Sequence, residues 1–417
     1  MKLKLIEDFL KSKGINILIS ILLASMILSI GVSSITLVSL YIISIVFILI
    51  RIKSIIIKPI DIIFLMFFGI QALSFFWSEN KSEYFNEIEK VLIFLFIPFL
   101  FVYIRSNNVV IKFNTIAISY IISLIIFGLI LIGFSLSDII INNKPIIEFI
   151  SKNVRFNLIE LSPISFHTPF FGMFLVFGIV LCIYLKNELS IPKSFIYSTI
   201  LFFLFLLYLN SNLSSFISLL AIIGILLLFK LKKKTIIILF VTITTISITV
   251  LSLFYTEIQE ALHYDPTDGY WETPRYRILR FLHEGDPTRK KTWESAMIII
   301  KDNFWIGTGI GDLTDLLQTF RAKDSYAFIN RLNSHNQYLS ILGTTGVIGF
   351  FIFLLLMGNN LILAIRNKSL LFFSFLIIIA IAFFTDNILS RQWGLIFFCI
   401  FNYLIYEHYS TAKRENQ

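Results

Sequence analysis

The sequence predicts an all-α integral membrane protein with about twelve transmembrane helices and one large, partly helical outward loop before the tenth. Two observations carry that class. Hydrophobic residues make up 57% of the chain against 15% charged, and the mean hydropathy is +0.85, far from the balance of a soluble domain. The apolar runs are also long enough to cross a hydrocarbon core of ~30 Å as helices of about 20 residues. They lack the two-residue alternation of a transmembrane barrel.

Taken in order, the runs place spans near 15–31, 34–51, 60–77, 88–104, 113–134 and 170–185, then 194–210, 213–230, 235–254, 336–360, 369–386 and 392–407. Residues 1–254 therefore read as a block of helices, 255–335 as a loop carrying the polar chemistry, and 336–417 as the last helices and a tail. The basic N-terminus (Lys2, Lys4, Lys11, Lys13) precedes an apolar run with no small-x-small cleavage site, which reads as an uncleaved first span. Cys182 and Cys399 both fall inside spans and read as buried packing atoms.

Lys and Arg concentrate in alternate short loops: Arg51, Lys53 and Lys58; Arg105 and Lys112; Lys186 and Lys193; Lys230 and Lys232–Lys234; Arg366 and Lys368. By the positive-inside rule both termini are cytoplasmic, and 78–87, 135–169, 255–335 and 387–391 face outward. The formal charge of +9 is then a topology signal and no argument for nucleic acid.

The long loop is not uniformly basic. Between Tyr255 and Ser334 there are ten Lys/Arg against twelve Asp/Glu, with the cations clustered as Arg275, Arg277 and Arg280 and as Arg289, Lys290 and Lys291. Clustered guanidiniums suit a compact, multiply charged anion such as a diphosphate, through forked hydrogen bonds that lysine cannot match. The interleaved acids Glu272, Glu284 and Asp286 equally suit a salt-bridged loop surface. Residues 287–303 read as a helix with Trp293, Ala296, Ile299, Ile300 and Phe304 on one side, resting either at the lipid interface or against the outer ends of the spans.

Gly307-x-Gly309-x-Gly311 lacks the Gly-Lys-Ser/Thr ending of a phosphate loop and reads as a tight turn, with Asp312 capping a helix at 313–320. Glu284-x-Asp286 is half a metal site at most, so no metal is expected. His335 stands where the chain re-enters lipid, with Gly343, Gly346 and Gly349 expected around its helical face. His167 and Arg391 begin other spans on the same outer side. Mid-membrane positions look nearly free of charge, which favours an outward-facing enzyme over a coupled transporter or flippase.

Arg289-x-x-x-Trp293, the Gly307–Asp312 turn, His335-Asn336-Gln337-Tyr338 followed by Gly346-x-x-Gly349, and the Asp386–Gly394 stretch together resemble the O-antigen ligase and polymerase superfamily. The resemblance implies an inverting, metal-independent transfer of a glycan from undecaprenyl diphosphate to an acceptor hydroxyl. The setting would be the periplasmic face of the bacterial inner membrane, among membrane lipids and without a cofactor. It assigns His335 to activation of the acceptor and Arg289 to the diphosphate. Arg275, Arg277, Arg280 and Arg391 are expected to supplement that clamp, because Ser215 stands where the family usually carries an arginine. Asn336, Tyr338 and His167 are expected to position substrate. The acceptor is either lipid A core, as in lipopolysaccharide biosynthesis, or another lipid-linked glycan as for a polymerase, with ligation preferred.

Overall fold

In the computed structural model the described residues are 13–51, 55–146, 148–149, 167–188, 191–230 and 285–411; the expected span at 235–254 and Arg275, Arg277 and Arg280 lie outside them. Among the described residues the secondary structure is helical throughout. The helices are α1 (Ile15–Leu28), α2 (Ile30–Arg51), α3 (Pro59–Leu73), α4 (Lys81–Val91), α5 (Ile93–Ser106), α6 (Phe113–Ile141), α7 (Thr168–Glu188), α8 (Lys193–Asn210) and α9 (Leu213–Lys230). After the undescribed stretch come α10 (Pro287–Asp302), α11 (Leu313–Thr319), α12 (Gln337–Arg366), α13 (Leu370–Thr385) and α14 (Gln392–Thr411). Pro59–Phe76, Phe113–Ile141, Thr168–Lys186, Lys193–Asn210 and Gln337–Arg366 are long and apolar enough to cross a membrane. Shorter apolar helices, α1 and α13 among them, pack beside them, as an integral membrane protein requires.

Most boundaries follow the apolar runs, and the departures have local causes. The expected span at 88–104 begins inside a polar, separately capped helix: Asn80 accepts from the Glu83 amide at 3.0 Å, so α4 starts in what reads as a loop and hands over to α5 near Leu92. Helix α14 sits in the middle of the bundle, with Leu395 through Tyr406 almost wholly buried. Its Phe397 and Phe401 pack on Phe177 of α7 at 5.3 and 4.7 Å between ring centroids.

Two of the loop cations, Lys58 and Arg105, enter a largely buried network with Asp61 and Glu407. Arg105 pairs with Asp61 and, at 2.6 Å, with Glu407, while Lys58 reaches Glu407 at 2.7 Å and Tyr403 donates to Asp61 at 3.0 Å. Such charges tolerate burial because each finds an opposite partner and further hydrogen bonds. The network lies at the start of α3; the Gly307–Asp312 turn packs beyond its other end.

There, Asp312 takes a role the sequence reading missed. It has helical backbone angles and no side-chain cap on its own helix. Its carboxylate instead accepts from the Ser78 hydroxyl at 2.8 Å and from the amides of Glu79 and Asn80 at 2.8 and 2.7 Å. Asn80 in turn donates to Asp315 at 2.6 Å. The carboxylate satisfies amides at the start of α4, a segment more than 200 residues away in sequence, so local spacing could not reveal it. Asp312→Ala is expected to lower stability by about 1.5–3 kcal/mol, the worth of a charged hydrogen-bond set. Thermal unfolding in detergent tests this, and an unchanged transition would reject the latch.

Candidate functional site

The glycine-rich turn and the start of α12 form one unit. Gly346 has φ 64 and ψ −168, and breaks α12 at a conformation essentially restricted to glycine. In an unbroken helix the amides of Val347 and Ile348 would bond to the carbonyls of Gly343 and Thr344. Here those carbonyls accept from Thr308 and Gly309 at 2.8 and 2.9 Å, and the two amides donate to the carbonyls of Phe304 and Trp305 at 2.9 and 3.3 Å. The turn is thus spliced into the hydrogen-bond ladder of the helix, which satisfies these four backbone groups at the break. Gly307, at φ 70, lies so close to Thr344 that a Cβ there would overlap its backbone.

This corrects the expected place of the glycines. Gly343 and Gly346 receive the 304–309 turn, and His335 is not on the helix at all: it has φ 47 and precedes Asn336, the N-cap, whose side chain accepts from Tyr338 and Leu339 at 3.0 and 3.2 Å. The left-handed turn aims the imidazole across to the loop after α13. There Nδ1 of His335 meets Asp386 Oδ1 at 3.2 Å. Asn387 fixes the two turns to each other, accepting from the Asn336 amide at 2.8 Å and the Ser334 hydroxyl at 3.0 Å. Gln337 closes the junction by accepting from the Leu389 amide at 2.7 Å.

Burial pushes the Asp386 carboxyl up, but the hydrogen bond and charge of His335, the Asn387 amide and the charge of Arg289 outweigh it and hold the group below the usual carboxylate range. An ionised Asp386 facing Nδ1 favours the tautomer with its proton there, leaving Nε2, which has no hydrogen-bond partner among the described residues, as the acceptor nitrogen. Asp386→Asn is expected to lower turnover about ten- to a hundredfold, in line with loss of a charged hydrogen bond, with little effect on folding. Steady-state kinetics test this; an unchanged kcat would show that Asp386 does not orient the imidazole.

Helix α10 carries the cation. Asp286 caps it, accepting from the Arg289 amide at 3.0 Å, and pairs with the Arg289 guanidinium at 3.1 Å. One turn on, the Trp293 indole donates to the Ser334 carbonyl at 2.9 Å and meets Phe384 edge-on at 5.3 Å. The spacing of four thus places Arg289 one turn from an anchor fixed to the histidine loop. Of the two placements open for α10, its Ala296, Ile299 and Ile300 side packs inward, with Leu313 and Leu317 joining Ala296 and Ile299. Phe304, expected on that buried side, is 48% exposed because it already belongs to the turn.

Beside these residues lies a cleft of about 1560 Å³ between α9, α10, α12 and α13. Its apolar lining includes Leu213, Phe216, Ile217, Met297, Ile298 and Phe384, and Arg289, Lys290 and Asn336 stand on its polar side. Asn336 and Thr385 bring its wall to the residues adjoining His335 and Asp386. Tyr338 also lines it, but its hydroxyl is already donated to the Ala380 carbonyl at 3.1 Å.

His167 and Arg391 do not line this cleft among the described residues. They form a flank of the same centre: burial, then the charge of Arg391, holds the His167 ring below its ordinary pKa, with Asp386 and His335 also within electrostatic reach. Ser215 is buried and donates to Asn212 at 3.0 Å, and its hydroxyl occupies the space where Gly172 would need a Cβ. No room for an arginine side chain exists there without displacing α7.

All of this describes a membrane-embedded helical protein with an imidazole–carboxylate pair and an arginine gathered beside a large apolar cleft. Residues 197–354 match the O-antigen ligase family, Wzy_C, so the chain carries a domain of that family, associated with glycan transfer of the O-antigen ligase and polymerase type. The matched residues include Arg289, the Gly307–Asp312 turn and His335, and stop short of Asp386. A search of the curated proteins returned no match.

Proposed function

We propose that the protein transfers a glycan from undecaprenyl diphosphate to an acceptor hydroxyl on the periplasmic face of the inner membrane, with lipid A core as the acceptor. The observation that supports this reading is the His335–Asp386 contact, whose sequence neighbours Asn336 and Thr385 line an apolar cleft with Arg289 on its polar side. A polyprenyl chain fits the apolar lining, and its diphosphate then meets Arg289 and Lys290.

In the reaction the acceptor oxygen attacks the anomeric carbon as the bond from that carbon to the diphosphate oxygen breaks, inverting the centre. His335 Nε2 takes the hydroxyl proton while Asp386 steadies the resulting imidazolium. The leaving group departs as undecaprenyl diphosphate, its negative charge met by Arg289. These groups supply base and electrophile without a metal, so EDTA is expected to leave the rate unchanged.

Purified protein in liposomes with an undecaprenyl-diphosphate-linked repeat and lipid A core should release undecaprenyl diphosphate and form glycosylated core. Absence of turnover with either this acceptor or a second lipid-linked repeat would reject the reading. In a deletion strain, long chains retained on the carrier support ligation, and single repeats on the core with no long chains mark a polymerase. Arg289→Lys keeps the charge but loses the fork, and should reduce kcat/KM for the donor about ten- to a hundredfold. Unchanged donor kinetics in both Arg289→Lys and Arg289→Ala would return the residue to loop solvation.

A further inference from the structure

A second, smaller cavity lies on the other side of the segment that leads from His335 into α12. Asn336, Tyr338 and Leu339 line the large cleft, whereas Gln337, Ser340, Ile341 and Thr344 line a chamber of about 70 Å³. Its remaining walls include Gln71 of α3, Glu87 of α4, and Leu389 and Ser390 from the turn after Asp386. The two turns that hold the imidazole therefore separate the cavities.

The chamber is lined by uncommitted polar groups. Glu87 uses Oε1 for Lys90 at 2.5 Å, and Oε2 has no partner among the described residues. Gln71 spends its amide nitrogen on the Phe67 carbonyl at 3.0 Å, and Gln337 spends its oxygen on Leu389 at 2.7 Å. Among the described residues that leaves the Gln71 oxygen, the Gln337 nitrogen and the Ser340 hydroxyl unpaired, although Gln71 and Gln337 are 7% and 6% exposed. Polar groups so placed require water or a polar ligand. Burial pushes the Glu87 carboxyl above its ordinary range against the pull of Lys90.

A carboxylate with two amides and a hydroxyl, walled by Phe67 and Phe94, is the chemistry that recognises vicinal hydroxyls and the C–H face of a sugar. At about 70 Å³ the chamber has room for several waters, each needing about 10–15 Å³, but is far below the roughly 300 Å³ of a pocket that swallows a ligand whole. It admits the edge of a ring.

We propose that this chamber is the acceptor subsite, in which Glu87, Gln71, Gln337 and Ser340 hold a pair of hydroxyls on the acceptor sugar and so present a neighbouring hydroxyl to His335 from the side opposite the donor cleft. The proposal rests on the glycan-transfer reading for its purpose, but the binding it asserts is measurable without turnover.

The test is equilibrium binding of two probes to the full-length protein in detergent without donor: delipidated lipid A core oligosaccharide, and a free repeat-unit oligosaccharide. Glu87→Gln, which preserves shape, should weaken the probe that binds about tenfold, and Glu87→Ala up to about a hundredfold, as expected for charged hydrogen bonds. Ser340→Ala should weaken it less. Which probe responds identifies the acceptor source. Failure of both probes to bind the unaltered protein, or affinities within twofold of it in all three variants, would overturn the subsite. Glu87-dependent binding without turnover would keep the subsite and reject the transfer reaction.

Discussion

Replacing His335 by alanine should lower glycan transfer by about 10²–10⁴-fold, the range for removal of a general base, while donor binding persists. The reason is geometric: Nδ1 is held by Asp386, and among the described residues the only other histidine facing this centre, His167, does not share that carboxylate hydrogen bond. The imidazole also makes little of the fold. Its side chain is 27% exposed and its turn is fixed by the backbone and by Ser334, Asn336 and Asn387, so the variant should insert and unfold like the parent. The measurement is single-turnover transfer with saturating donor. Near-parental rates would remove His335 from the chemistry, and lost donor binding would assign it to the diphosphate instead.

The largest expected structural effect comes from Gly346→Ala. A methyl group there would overlap the Trp305 carbonyl, and the φ and ψ are unfavourable for any L side chain by about 1–3 kcal/mol before that overlap is counted. Either the 304–309 turn is expelled, exposing two carbonyls and two amides inside an apolar bundle, or α12 straightens and pulls its first turns away from Asn387. Both routes disturb the histidine loop. Thermal unfolding should therefore drop by several degrees and transfer should fall with it. Parental stability and activity would mean that the splice is dispensable.

The contrast between these two residues explains how far the sequence could be read. Helix positions were legible because lipid demands length and apolarity from each helix separately, so α3, α8, α9 and α13 start and end close to their apolar runs. Arg289 and His335 were conspicuous as polar residues at the edges of apolar or amphipathic segments. What joins them was not legible. Asp386 lies 51 positions from His335, and no periodicity relates the ends of two different helices. Gly346 looked like a small residue on a helix face because a run of apolar residues continues through it, and only the approach of Phe304 and Trp305 makes the break favourable. Asp312 sat where helix caps sit, but Ser78, Glu79 and Asn80 offered it three donors in place of one. The chamber at Glu87 gave no signal, being assembled from single residues of separate helices.

The buried ion network at the far end of α3 bears on how the protein is made. Glu407 belongs to α14, whereas Lys58, Asp61 and Arg105 emerge from the ribosome some 300 residues earlier. Until α14 is inserted, two cations share a single carboxylate from this group, an imbalance that favours keeping them hydrated. Arrival of Glu407 neutralises the set and lets it close around α14. Without α14, Lys58 and Arg105 face one carboxylate of the set and the side chains that pack on Leu395–Tyr406 lose their cover, a polar and an apolar defect together. Insertion of α14 and closure of the ion network are thereby a single event.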